Sequence, residues 1–233
     1  MKIAVMGAMD EEIALYLAEM KTYEEFQFAG MPFYVGSLRG QDVVLCKSGV
    51  GKVNAAVATQ LLVDHFQVGA LLFTGVAGAI DLRLRIGDLI ISTDCVQHDV
   101  DVTALGYQPG EIPYVSQIAF PADPSLVQLA VAASQEQVPE QQVFTGRVVS
   151  GDQFIADSKK VTQLKEIFQA SCTEMEGAAV AQVCWMNQLP FVVIRSMSDQ
   201  ADGEAEVSYH EFMHVVAKHS YLIITGMLDR WNM

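Results

Sequence analysis

Lys2-Ile-Ala-Val-Met-Gly-Ala-Met9 followed directly by Asp10-Glu11-Glu12-Ile13 decides the fold class. A short apolar run without polar alternation reads as a strand buried on both faces. The small residues at its end read as a turn, and the acidic cluster as the first turn of a helix, where carboxylates suit the positive end of the helix dipole. Strand, turn and helix in that order begin a layered α/β chain. Glu12 is expected near the carboxyl end of that strand.

The pattern recurs downstream. Leu71-Leu-Phe-Thr-Gly-Val-Ala-Gly78 is a second apolar run ending in small residues, and Gly87-Asp-Leu-Ile-Ile-Ser92 starts a further strand. Phe144 to Val149 and Phe191-Val-Val-Ile-Arg195-Ser-Met-Ser-Asp199 read as two more. Phe26 to Ala29, Pro32 to Leu38 and Asp42 to Lys47 are β-like and separated by Gly30-Met31 and Arg39-Gly40-Gln41, which suggests hairpins. Residues 124–136, Ala178 to Trp185 and about Ser208 to Leu228 carry helical patterns. With 233 residues and no Pro/Ser-rich linker, low-complexity run or internal repeat, one domain spanning 1–233 is expected.

Composition excludes several classes of partner. The formal net charge of −14 opposes phosphate backbones and anionic lipid, and no basic patch compensates it, so neither nucleic acid nor a membrane surface is an expected partner. No apolar run approaches the roughly eighteen residues of a transmembrane helix. Cys46, Cys95, Cys172 and Cys184 are widely spaced with no CxxC pair, and the apolar start runs into acid with no cleavage signal, which fits a reduced, cytoplasmic protein.

Three motifs need weighing. Ser48-Gly-Val-Gly-Lys52 resembles a phosphate loop, but that pattern requires glycine where Cys46 stands and Ser or Thr where Val53 stands, so a tight strand-to-helix turn is the better reading. His210-Glu211-Phe212-Met213-His214 matches a zinc-binding helix pattern, yet Ala217 and Ser220 break its extended form and no third protein ligand is evident, so no metal is expected. Thr173-Glu174-Met175-Glu176-Gly177-Ala178-Ala179 places two carboxylates at the mouth of an apolar helix. Thr173 and Glu176 have the spacing of a capping box, which is the structural explanation of that acid.

In open α/β sheets ligands bind outside the carboxyl ends of the strands. The chain delivers Glu12, Glu176 and Asp199 there, with Met9, Phe154 and Met175 as apolar partners. Three acids and a flat aromatic suit an uncharged, polyhydroxylated aromatic ligand, a description that a nucleoside meets.

These motifs together, from Gly7-Ala-Met-Asp-Glu-Glu12 through Lys47 to Lys52, Asp99 to Tyr107, Ser150-Gly-Asp-Gln-Phe154, Glu174-Met-Glu176 and Arg195 to Asp199, carry a resemblance over essentially the whole chain. It resembles the bacterial 5′-methylthioadenosine/S-adenosylhomocysteine nucleosidases of the purine nucleoside phosphorylase superfamily. The resemblance implies a three-layer α/β/α sandwich around a central mixed sheet, a homodimer, no cofactor, and irreversible hydrolysis of the adenine–ribose bond. It makes Glu12 the base that activates water, Asp199 the acid at adenine N7, and Glu176 the partner of the ribose hydroxyls. It stacks Phe154 on adenine with the Ile155 backbone at its edge, packs Met9 and Met175 near the sugar, and lets Arg195 and Ser198 support the polar site. Val102, Leu105, Tyr107 and Pro113 would line a 5′-alkylthio pocket, partly across the dimer interface, with Tyr209 closing it.

The chain departs from the family pattern at Val76, where serine is common, and at Tyr209, where phenylalanine is common. The resemblance therefore implies one hydrogen bond fewer near the attacking water and a slightly more polar 5′ pocket. A phosphorylase on the same fold is the nearest alternative, but it needs cations to hold phosphate. Among the arginines only Arg195 falls in a site motif.

Overall fold

The computed structural model describes residues 1–201 and 205–231, the side chains of 206–208, 210, 214 and 216 excepted. Ten strands form one mixed sheet: β1 (Ile3–Gly7), β2 (Tyr23–Phe28), β3 (Met31–Leu38), β4 (Gln41–Lys47), β5 (Ala70–Ala79), β6 (Leu89–Gln97), β7 (Phe120–Pro121), β8 (Val143–Ser150), β9 (Cys172–Glu174) and β10 (Phe191–Asp199). The helices are α1 (Asp10–Glu19), α2 (Lys52–Asp64), α3 (Pro124–Gln137), α4 (Ser158–Phe168), α5 (Gly177–Met186) and α6 (Ala205–Asp229).

The expected mixed α/β sheet with helices on both faces is present. Helices α1, α3 and α6 cover one face over a core that includes Ile3, Val5, Leu72, Val192 and Ile224. Helices α2 and α5 cover the other, over Met6, Phe73, Ala178, Val180 and Val193. Strands β1 and β10 are buried at every residue, which is why their sequences run apolar without alternation.

One feature differs from an open sheet. Strand β10 pairs in parallel with β5 and antiparallel with β6, while β6–β8, β8–β9 and β9–β5 pairings complete a closed ring. Closure removes two sheet edges and brings the carboxyl ends of β1, β5 and β10 against those of β8 and β9, which run the opposite way. The short β9 that completes the ring carries no distinct periodicity in the sequence, whereas α4 before it does, with Val161, Leu164 and Phe168 at helical spacing, and was not among the helices expected above.

Where β10 meets β5, Met197 faces Ala77 and Asp199 faces Gly78, leaving Ser198 as an extra residue. Such a bulge re-aims the side chains around it. Here it turns the end of β10 toward the ring's mouth.

Candidate active site

A cavity of about 420 Å³ opens at that mouth. Its lining comes from seven regions: Ala8, Met9 and Glu12 after β1; Val50 after β4; Val76, Ala77 and Gly78 in β5; Gln153, Phe154 and Ile155 after β8; Thr173 to Glu176 in and after β9; Ser198 and Asp199 in β10; and Tyr209 in α6. Met9, Glu12, Phe154, Ile155, Met175, Glu176, Ser198, Asp199 and Tyr209, all singled out in the sequence, therefore share one cavity.

Glu12 is the third residue of α1, so its carboxylate can reach back to the helix start. Its Oε2 accepts the N–H groups of Ala8 (2.6 Å) and Met9 (3.1 Å), and its Oε1 accepts that of Val76 (3.1 Å). Three backbone donors hold one rotamer. Burial raises its pKa above the ordinary carboxylate range, opposed by the Arg195 charge and by those three hydrogen bonds. A carboxylate held higher than usual is a better proton acceptor near neutrality. The hydroxyl that Val76 lacks is thus separate from the backbone hydrogen bond that Val76 makes.

Asp199 is buried, with Oδ2 accepting the Ser198 hydroxyl (2.8 Å) and Oδ1 the Ala201 N–H (2.7 Å). The second contact is a side-chain turn spanning two residues, which suits Asp. Two glycines of β5 let these acids approach. A Cβ on Gly75 would lie 2.7 Å from Glu12 Oε1 and 2.5 Å from Arg195 Nη1, and one on Gly78 would lie 2.8 Å from Asp199 Oδ1.

Glu176 is the N-cap residue of α5, and its Oε1 accepts the Gly51 N–H at 2.8 Å. Gly51 has φ of +96°, a conformation that a side chain would strain, so the glycine turn after β4 is needed to aim that N–H. Burial, and then the neighbouring Glu174, push the Glu176 carboxyl up.

The expected capping box does not form. Thr173 lies in β9 instead of at the cap, and its hydroxyl has no protein partner among the described residues. Glu174 caps α5: its carboxylate accepts the N–H groups of Glu176 (3.1 Å) and Gly177 (2.8 Å), and the Ser150 hydroxyl as well. The strand pairing of β9 with β5 and β8 extends through residue 174, so the helix starts later than the spacing suggests.

Arg195 lies behind the site and does not line the cavity. It is almost fully buried, its Nη2 bonds Glu174 Oε2 at 2.6 Å, and its guanidinium sits 4.1 Å over the Phe73 ring. Val102, Leu105, Tyr107 and Pro113 also lie outside this chain's cavity. Their segment is anchored elsewhere, with the Gly110 N–H donating to Val100 O at 2.9 Å and Gly110 packed against Phe168 and Val96. At the rim, the Phe154 ring meets Tyr209 edge-on at 5.9 Å, and the Tyr209 hydroxyl donates to Met9 Sδ at 3.0 Å.

Sequence reasoning missed Glu174, Thr173, Gln153 and Val50 as lining residues. A signal for the first existed in the doubled acid of Glu174-Met175-Glu176, of which only one member was assigned. The side chains of His210 and His214 in the zinc-like motif lie outside the described residues. Among the described residues no group of three or more His, Cys, Asp or Glu could hold a metal, and no helix is long and apolar enough to cross a membrane.

A family model described as the Phosphorylase superfamily matches residues 2–229, which accords with the ringed mixed sheet and the cavity at its mouth. A 5′-methylthioadenosine/S-adenosylhomocysteine nucleosidase of Tolumonas auensis is 42% identical over 231 residues, covering 99% of this chain and 100% of the relative. The nucleosidase of that name from Neisseria meningitidis, solved in complex with methylthio-immucillin-A, matches with a TM-score of 0.94 at 37% identity, covering 98% of this chain and 99% of that one. A futalosine hydrolase of Helicobacter pylori strain 26695 matches with a TM-score of 0.94 at 36% identity, covering 98% and 97%. The chain belongs to the 5′-methylthioadenosine/S-adenosylhomocysteine nucleosidase family, within the phosphorylase superfamily.

Proposed function

We propose that this protein hydrolyses the adenine–ribose bond of 5′-methylthioadenosine and S-adenosylhomocysteine, and of 5′-deoxyadenosine, acting as one domain over residues 1–233. One observation carries the reading. Four buried carboxylates, those of Glu12, Glu174, Glu176 and Asp199, line one cavity whose described lining contains no lysine or arginine, and the Glu174 carboxylate is the one paired with Arg195. A phosphorylase would need such cations to hold phosphate where water attacks.

Breaking the bond leaves positive charge on the sugar and negative charge on the departing base. Glu12 takes the proton of a water beneath C1′, Asp199 protonates or hydrogen-bonds adenine N7, and Glu176 holds the ribose hydroxyls in a fixed orientation. Phe154 stacks on adenine, the Ile155 backbone meets its edge, and Met9 and Met175 flank the sugar. Ser198 holds the Asp199 carboxyl, and Arg195 supports the acids from behind. Tyr209 closes the 5′ side. The buried, unpaired cysteines fit a reducing cytoplasm.

In phosphate-free buffer each of the three nucleosides is expected to yield adenine and the free 5-substituted ribose. Adenine that appears only with added phosphate, alongside ribose 1-phosphate, would make the protein a phosphorylase instead.

The 5′ pocket is completed by a second copy, whose Val102, Leu105, Tyr107 and Pro113 reach the neighbouring site. Supporting this, Val53 and Val57 one turn apart on α2, and Leu105 and Tyr114 beyond β6, are exposed apolar side chains. Sedimentation equilibrium is expected to give twice the 25.5 kDa chain mass, and a monomer at micromolar concentration contradicts the pairing.

A further inference from the structure

Beneath the cavity one buried cation stands among several acids, and the acid that holds it has no part in the scheme above. The Arg195 guanidinium on β10 gives Nη2 and Nε to Glu174 Oε2 at 2.6 and 3.2 Å, and Phe73 fixes its plane from one side. Its Nη1 is buried with no protein partner among the described residues. That nitrogen points across Gly75 toward Glu12 Oε1, since a Cβ built on Gly75 would touch both. Glu174 is itself locked by Ser150, which in turn accepts the Ala178 N–H at 2.7 Å, and by the α5 N–H groups it caps.

We propose that Glu174 is a positioning residue for the hydrolysis, holding Arg195 away from Glu12 so that Glu12 remains a free base, while its capping bonds seat Glu176. The inference rests on the hydrolytic reading above. It concerns a residue that neither touches the reacting atoms in that scheme nor serves the ribose.

The physical argument is one of charge placement. A guanidinium satisfied by its own carboxylate exerts a reduced field on its other neighbours, whereas an unsatisfied one in a buried site pairs with the nearest acid. The nearest free acid across Gly75 is Glu12. Direct pairing would make Glu12 a weaker base and tie its oxygen to Nη1 instead of to water. The charged or titratable groups facing Glu12 are Arg195 on β10, Glu176 at the head of α5, Tyr16 on α1 and Tyr209 on α6; those facing Glu174 are Arg195, Glu176, Cys172 on β9 and Cys95 on β6. Among these, Arg195 is the only cation.

Glu174→Gln keeps the shape and an acceptor for the capping N–H groups but removes the charge. The rate of adenine release falls on the acid side as the base takes up a proton, so a weaker base moves that limb to lower pH. The expected result is an acid limb of kcat displaced by about one pH unit downward, a plateau kcat reduced about a hundredfold, and KM changed by less than about threefold. A purely structural role would lower Tm and yield of active enzyme while leaving the limb where it was, and that result would overturn the proposal. If the Gln variant does not fold, Glu174→Asp decides: it keeps the charge, so the limb should stay in place while kcat drops, and a displaced limb overturns the proposal. Failure of the hydrolytic reading is separate, since the unaltered chain would then release no adenine without phosphate.

Discussion

Glu12→Gln is expected to lower adenine release from 5′-methylthioadenosine by about a thousandfold, with the far-ultraviolet circular dichroism unchanged. General-base catalysis contributes about 10²- to 10⁴-fold, and an amide cannot accept the proton of the attacking water. The side chain is nearly isosteric, and its carbonyl can still accept the Ala8 and Met9 N–H groups, two of the three donors that fix the wild-type rotamer, while its NH2 loses the bond from the Val76 N–H. The loss therefore falls on kcat more than on KM. A variant within tenfold of the unaltered rate would remove Glu12 from the role of base.

The same substitution has a second consequence in stability. Burial holds the Glu12 carboxyl above its ordinary value of 4.5 in the folded chain, so ionising it costs more folded than unfolded. The folded state then binds more protons than the unfolded one in the window from that ordinary value up to the raised one. Stability from this group is full below the window and is lost as pH rises through it. Glutamine does not titrate, so the Tm of the variant relative to the unaltered chain should rise as the pH is raised from the ordinary carboxylate value of 4.5 through the raised one. Parallel Tm curves across that range would show that Glu12 does not titrate differently on folding.

Asp199→Asn is expected to cost a similar factor, on the order of 10² to 10⁴ in kcat. The variant can keep one of the two contacts that hold the side chain, the Ser198 hydroxyl or the Ala201 N–H, but it has no acidic proton to give to a departing base. The role makes a sharper demand than loss of rate. A 5-methylthioriboside with 4-nitrophenolate as leaving group departs without protonation, so the variant should lose far less on that substrate than on 5′-methylthioadenosine. Equal losses on both would place Asp199 outside leaving-group chemistry.

The chain's elements were legible to different degrees, for identifiable reasons. Strands β1, β5 and β10 announced themselves because strands covered on both faces must be apolar throughout. The glycine turn before α2 was legible as a tight turn because its pattern fails as a phosphate loop, and Gly51 does adopt a left-handed φ. Strand β9 was not legible: three residues are too few to show a period, and its neighbours impose it. That short strand is also why the cap at α5 falls to Glu174 rather than Thr173.

By itself the sequence determined the α/β class, the order of the apolar strands, and the presence of acids at three separated strand ends, because local patterning encodes which faces are covered. Only the tertiary structure decided that the sheet closes into a ring, that a bulge at Ser198 turns β10's end to the mouth, and that Gly75 and Gly78 leave room for Glu12 and Asp199. It alone separated Glu176, which faces the cavity and the Gly51 turn, from Glu174, which spends its oxygens on Arg195 and a helix start. Two glutamates two residues apart look alike in a sequence. What distinguishes them is which charges and donors the folded chain brings within about 3 Å, and the deciding ones, Gly51 for Glu176 and Ser150 and Arg195 for Glu174, lie at distant positions in the sequence.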